Sequence, residues 1–343
     1  LGERIPIKPP QIPYVDTSAG PLWSVMIPAY NCYEYLKEAL QCVIRQDRGA
    51  DSMQIEVIDD CSTDGDVEAM VKEIGEDRVL YYRQPENVGS LRNFETCINR
   101  AKGKLLHLLH GDDRIKPGFY EAMEKSFEQH PDAGAAFCRT SYIDINGQYM
   151  HTARPEADKP GILPDMLMLL GERQRIETPS IVVKRTVYED LGAFRMLIYG
   201  EDWDMWIRIA AKYPIAYIPE PLAEYRMAIP SSITYKKMIS AENIKDIETV
   251  MKLTREYFPE EQLPELHKKA RKFYAAYAVR TANTLWHDKN SPEGAYAQLK
   301  AAVRLSRHPS IVLSASKVLF KMMIQYHNGR LFNKRDKQNG TGL

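Results

Sequence analysis

The sequence lacks any apolar run approaching the eighteen or so residues that a membrane-crossing helix needs. Its first residues, Leu-Gly-Glu-Arg-Ile-Pro, lack the apolar core of a signal peptide, and a chain that does not begin with Met reads as trimmed. Net charge is also missing: 46 Lys and Arg balance 46 Asp and Glu, which argues against bulk nucleic acid as a partner. Cysteine is scarce and one-sided. Cys32, Cys42, Cys61, Cys97 and Cys138 all lie in the first half, odd in number and without a CxxC pair. That usage fits free thiols in a reducing, cytoplasmic setting and gives no support to a zinc site.

What is present is a rhythm of short apolar strands and amphipathic helices. Strands are expected at Trp23–Ile27, Ile55–Ile58, Val79–Tyr82 and Lys104–Leu109, with helices between them. Four strand-helix repeats in about a hundred residues indicate a parallel, doubly wound sheet with right-handed crossovers. Asn31 with Glu34 has the spacing of a capping box, Cys61–Asp64 offers caps for the next helix, and Pro117 suits a first helical turn. Further on, Ala133–Cys138 reads as a buried strand and Asn146-Gly147 as a hairpin turn. Glu201–Lys212 reads as an amphipathic helix, and Ile215–Ile218 and Leu222–Tyr225 as two strands. From about Met238 to Tyr326 the pattern is wholly helical. These changes divide the chain into a Pro-rich arm (1–21), an α/β domain (22–237), a helical subdomain (238–330) and a disordered tail (331–343).

The chemistry gathers at strand ends. The run Leu106–Leu109 stops at His110-Gly111-Asp112-Asp113, and the strand at Ile55–Ile58 stops at Asp59-Asp60. In open α/β sheets the ligand crevice lies just outside the carboxyl ends of the strands, so both acidic pairs would face one site. Adjacent carboxylates repel unless they share a cation or strong donors. Hard divalent ions take oxygen ligands and bridge carboxylates to phosphates. The first strand's loop, Pro28-Ala29-Tyr30-Asn31, opens into the same place.

Seven segments, in order, carry a resemblance. They are Val-Met-Ile-Pro-Ala-Tyr-Asn (25–31), Val-Ile-Asp-Asp-Cys-Ser-Thr-Asp (57–64), Asn-Val-Gly-Ser-Leu-Arg-Asn (87–93), Ala-Lys-Gly-Lys (101–104), His-Gly-Asp-Asp (110–113), Gly-Glu-Asp-Trp-Asp-Met-Trp-Ile-Arg (200–208) and Tyr-Arg (225–226). Over about Ser24–Arg226 the chain resembles the inverting glycosyltransferases of family 2. The resemblance implies a GT-A fold, Rossmann-like with a doubly wound mixed sheet, followed here by the α-helical subdomain. It implies transfer of a sugar from a nucleoside diphosphate, a UDP-sugar by preference, to a hydroxyl of a glycan or lipid-linked acceptor, in polysaccharide building at the cytoplasmic side of a membrane.

It also implies roles. Asp60 is similar to the carboxylate that accepts from uracil, with Pro28, Ala29 and Tyr30 framing the base. Asp112 resembles the metal-facing acid, for Mn²⁺ or Mg²⁺, with Asp113 beside it. His110 stands where the family usually has its first Asp. Asp202 resembles the general base. Several residues keep two readings: Asp59 as ligand contact or turn cap, Glu201 as ligand contact or first-turn acid, and Arg92 and Arg226 as diphosphate partners or ion-pair members. Asn93 caps a helix or contacts donor, and Trp203 and Trp206 stack on sugar or fill core. Other activities also remain: a nucleotide-sugar-binding module without turnover, or a nucleotidyltransferase of similar fold; neither needs an acceptor base. The basic, apolar stretch Arg304–Lys337 reads either as a helix on an anionic membrane surface or as a helix packed inward with a basic outer face.

Overall fold

A computed structural model of the chain describes residues 8–227, 229, 233–327 and 330–331. The 331–343 tail expected above lies, but for Leu331, outside them. The chain divides into two compact units, one formed by residues up to Leu170 with Gln174–Ile229, the other by Gly171–Arg173 with the residues from Pro230 on.

The first unit runs β1 (Trp23–Ala29), α1 (Tyr33–Ile44), β2 (Met53–Asp59), α2 (Val67–Gly75), β3 (Val79–Arg83), α3 (Ser90–Arg100) and β4 (Leu105–Leu108). It continues with β5 (Arg114–Ile115), α4 (Phe119–Gln129), β6 (Ala135–Ile143), β7 (Tyr149–Thr152), β8 (Gly161–Ile162) and α5 (Met166–Glu172, whose end belongs to the second unit). β9 (Ile181–Lys184), α6 (Arg185–Leu191), α7 (Glu201–Lys212) and β10 (Ile215–Arg226) complete it. The sheet has ten strands in the order β3-β2-β1-β4-β9-β6-β10-β5, with β7 on β6 and β8 on β10. β3, β2, β1 and β4 are parallel, as the strand-helix rhythm requires. β9 then runs antiparallel to both β4 and β6, so the sheet is mixed. Trp23, Val25, Ile27 and Ala29 alternate along β1 and pack with Leu36, Leu40 and Val43 of α1 and Phe119 and Met123 of α4 in one buried cluster.

Local expectations differ from the structure where a partner is distant in sequence. Asn31 does not cap α1. It sits at φ 47°, and its Oδ1 accepts from the Thr63 N–H at 2.8 Å, while Asp64 accepts from Tyr33 N–H at 2.9 Å. The two loops therefore cap each other. α2 is capped by Asp66, which accepts from Ala69 N–H, not by Cys61–Asp64. Pro117 precedes α4, whose cap is Gly118 at φ 87°. The two strands expected at 215–225 are one, β10, because its register shifts around Pro221 absorb the missing N–H. Residues 8–21 lie against α6: Ile12 is buried, Ala193 N–H donates to Pro10 O, and Val15 N–H donates to Glu189.

The second unit contains α8 (Ile233–Ser240), α9 (Glu242–Leu253), α10 (Leu263–His287), α11 (Pro292–Leu305) and α12 (Pro309–Met323). α10, α11 and α12 pack on one another. No helix among the described residues is long and apolar enough to cross a membrane.

Candidate active site

Three pieces of backbone build the site, each at a strand or helix end. The first is the turn after β4. Gly111 N–H donates to Pro28 O at 3.1 Å, tying the turn to β1. A Cβ on Gly111 would stand 2.8 Å from Cys32 Sγ and 3.3 Å from Pro28 O, so only glycine fits without displacement. One ligand atom from each of His110, Asp112 and Asp113 lies within 4.8 Å of the others. His110 stacks on Phe94 with ring centroids 5.0 Å apart. Its Nε2 and the Oδ2 of Asp113 are buried polar atoms without a hydrogen-bond partner. Such atoms are costly unless something else satisfies them, and one imidazole with two carboxylates suits a divalent cation. Burial, with the Asp112 charge second, holds the Asp113 carboxyl well above its ordinary range, and burial depresses His110. Burial and then the Asp112 charge push the Cys32 thiol up.

Arg226 at the end of β10 fixes this turn. Its N–H donates to Asp113 Oδ1 at 2.8 Å and its Nε donates to Asp112 O at 2.8 Å. The remaining guanidinium donors reach Glu38, Asp144 O and Ile145 O, and the group lies over the Tyr35 ring. With the residue 3% exposed, this fork is spent inside the protein.

The second piece is the end of β2. Asp59 accepts from Ser62 N–H at 2.9 Å, from Tyr81 Oη at 2.8 Å and from Arg83. Asp60 accepts from Val88 N–H at 2.7 Å, Gly89 N–H at 2.9 Å and Asn87 Nδ2 at 3.0 Å. It thereby holds the loop that opens α3, where Gly89 takes φ 86°. Burial raises Asp60, partly offset by those two backbone donors. Asn93 donates to Ile58 O at 2.8 Å and accepts from Gln84, locking α3 to the same strand end.

The third piece is the start of α7, entered through Gly200 at φ 85°. Asp202 accepts from Trp203 N–H and from Gln174 Nε2, both at 2.6 Å. Burial pushes its carboxyl up to about 6 against those two donors. The indole N–H groups of Trp203 and Trp206 donate to Leu170 O and Ile176 O, which sets the segment bearing Gln174 and Glu177 against α7. Both tryptophans are core. Glu177 accepts from Tyr142 Oη at 2.8 Å and is pushed up to about 7 by burial and then by the Asp202 charge. Burial, then Glu177, Asp113, Asp112 and Asp202 in turn, raise the Tyr225 hydroxyl far above its usual range. One phenol thus feels carboxylates from the turn after β4, from α7 and from the segment before β9.

The comparisons with known proteins meet this geometry. A family model, glycosyl transferase family 2, matches residues 24–192. An uncharacterised protein of Mycobacterium tuberculosis is 30% identical over 247 residues, covering 68% of this chain and 75% of its own. The chain belongs to glycosyl transferase family 2. An uncharacterised glycosyltransferase of Methanocaldococcus jannaschii is 29% identical over 228 residues, 65% of this chain and 76% of that one. Among solved structures, S. aureus TarS 1–349 in complex with UDP-GlcNAc superposes with a TM-score of 0.62 at 15% identity, covering 91% of this chain and 97% of that chain. Mannosyltransferase PcManGT from Pyrobaculum calidifontis, in complex with GDP-Man and Mn²⁺, superposes at 0.53 with 19% identity, covering 93% and 84%. The fold is GT-A, with helices following the sheet.

Within this family 2 chain, the structure brings His110, Gly111, Asp112 and Asp113 into one turn beside Pro28. It leaves Tyr30 half exposed at the mouth of β1 and Asn31 bridging to Thr63. Ala29 is buried, its carbonyl accepting from Asp60 N–H. Arg92 pairs with Glu95 on its own helix. Glu201 stands half-buried in the first turn of α7. Asp204 is buried between Arg195 and Arg208, an ion-pair role. His107 is likewise internal, bonded to Pro179 O and Tyr120. The sequence reading missed Glu177, Gln174 and Tyr142. Gln174 and Glu177 lie in a stretch without periodicity, readable only by its loop composition as a lid over the acceptor, and Tyr142 reads only as part of a strand, here β6.

Proposed function

We propose that the protein is an inverting glycosyltransferase that moves a hexosyl group from a UDP-sugar to a hydroxyl of a glycan or lipid-linked acceptor, assisted by Mn²⁺ or Mg²⁺. The observation that carries the reading is Asp202 at the start of α7, whose carboxylate is held by Trp203 N–H and Gln174 Nε2 and whose proton affinity is raised by burial. Its neighbours hold it ionised enough to serve near neutral pH and basic enough to take a proton, which is what a weak hydroxyl nucleophile needs. In the proposed step Asp202 removes the acceptor proton as that oxygen attacks the anomeric carbon. The bond from that carbon to the diphosphate oxygen breaks, and the electron pair leaves with UDP. Attack opposite the leaving group inverts the centre, so no enzyme-bound sugar is required. His110, Asp112 and Asp113 would hold the divalent ion, which supplies positive charge against the departing diphosphate.

Asp60 and the backbone at Pro28–Tyr30 would receive the uracil ring, and Asp60's preorganised loop at Asn87–Gly89 supports that assignment. Arg226 serves the donor indirectly, by fixing Asp112 and Asp113. TarS carries UDP-GlcNAc and PcManGT carries GDP-Man, and both support a nucleotide-sugar donor. The testing experiment is calorimetric titration of UDP with Mn²⁺ present and again with EDTA. Tight binding that requires the metal is expected. Equal binding in EDTA removes the metal from the reading, and tight GDP binding without UDP binding replaces the donor.

A further inference from the structure

Helix α12 is apolar both where it is packed and over an adjoining exposed arc. Its inner side is conventional: Ile311, Ala315 and Val318 are buried, packing on α10 and α11. The exposed arc carries Val312 (40% exposed), Leu313 (58%), Leu319 (38%), Phe320 (56%) and Met323 (68%). At about 100° per residue these five fall within roughly a third of the helix circumference. They form an apolar stripe interrupted by exposed Ser316 and extended past the last turn by Ile324. A surface helix normally turns polar residues outward, and one that is apolar all round normally has something against each side. Isolated exposed apolar side chains need no explanation, but a contiguous stripe does.

The charge around the stripe selects the occupant. Between Glu293 and Asp336 the sequence carries no carboxylate and eight Lys and Arg residues, of which Arg304 pairs with Glu248 and Lys321 donates to Asn283. Over the whole sequence the two signs balance, so this one-sided stretch is a local departure. Lys317 is exposed at the edge of the stripe and Arg307 is exposed just before the helix. A second copy of the chain would bring like charges together along such a face. An anionic headgroup layer above an acyl layer meets both features, taking apolar side chains below and ammonium groups at phosphate level.

We propose that the outer face of α12 docks on an anionic lipid bilayer, with Leu313, Phe320 and Met323 entering the acyl boundary and Lys317 meeting headgroup phosphates. This docking is independent of the sugar-transfer reading. It would bring to a membrane surface a chain with no spanning helix among its described residues.

The test is sedimentation of the full chain with phosphatidylcholine vesicles containing roughly one-third phosphatidylglycerol, and with pure phosphatidylcholine vesicles. Pelleting with the anionic vesicles at low salt is expected, at least about tenfold weaker on neutral vesicles and weaker again at about 0.5 M salt. Leu313→Glu combined with Phe320→Glu should abolish pelleting while leaving UDP titration and thermal melting unchanged, since neither side chain is packed. Lys317→Glu should lower partitioning more than about fivefold. Phe320→Trp, which keeps the apolar surface, should show blue-shifted emission on anionic vesicles. The proposal is overturned by absence of pelleting at low salt, by pelleting that survives the double glutamate variant, or by a concentration-dependent dimer that this variant disrupts without any vesicle binding. UDP binding is read separately, so its loss would count against the donor assignment and not against docking.

Discussion

As the proposed base, Asp202 works only as its carboxylate, and burial holds that carboxyl at about 6. Turnover at saturating donor and acceptor should therefore rise as pH increases from 5 to 7, with its inflection near 6. A flat profile over that interval would sink the assignment. Asp202→Asn keeps the shape and the hydrogen bond from Trp203 N–H but cannot take a proton. We expect kcat to fall by about 10²–10⁴ with UDP affinity unchanged, which steady-state rates and calorimetry would separate. Asp202 was singled out in the sequence by the family resemblance of the Gly200–Arg208 segment, since an acid at a helix start is by itself ordinary. Glu177 was not: it is one glutamate before Thr178-Pro179, and its meaning comes from Tyr142 and Asp202, 35 and 25 positions away.

Among elements, strands were read well where apolar runs end in acids, as at β2 and β4, because burial on both faces writes itself into composition. Caps were read poorly. Asn31 sits at the right spacing to close a helix on itself, yet its oxygen goes to Thr63, and the cap of α1 comes from Asp64 on another loop. Sequence spacing sees only local partners, whereas the crevice floor is knitted across the sheet. The prolines in β10 misled for a related reason, since a bulge tolerated by β6 cannot be read from β10 alone. The turn at Gly111 offers a test at this scale. Gly111→Ala should cost about 1–3 kcal/mol by overpacking against Cys32 and Pro28. In a Cys32→Ala background the same change should cost less, because the sulfur that the new methyl meets is gone. Equal losses of thermal stability in both backgrounds would locate the constraint elsewhere.

For the whole molecule, assembling acids in one buried place costs stability. Glu177 at about 7 has a folded value raised above the usual glutamate value, so the folded state holds its proton more tightly than the unfolded chain does. The sign follows: its penalty is absent below about 4.5, grows as pH rises, and is complete above about 7. Glu177→Gln, which keeps a partner for Tyr142, should gain stability relative to wild type by about 3 kcal/mol on going from pH 4.5 to 8. Denaturant melts of both proteins at the two pH values measure that difference, and a gap that does not widen with pH would contradict it.

Arg226 has a consequence for how the protein is born. Its contacts to Asp113 and Glu38 span 113 and 188 residues. On a ribosome adding about 5–20 residues per second, Asp113 emerges on the order of ten seconds before its clamp does. During that interval the turn after β4 has its tie to Pro28 but lacks the Arg226 bonds that fix Asp112 and Asp113. The clamp closes late, when the last strand of the sheet in chain order docks.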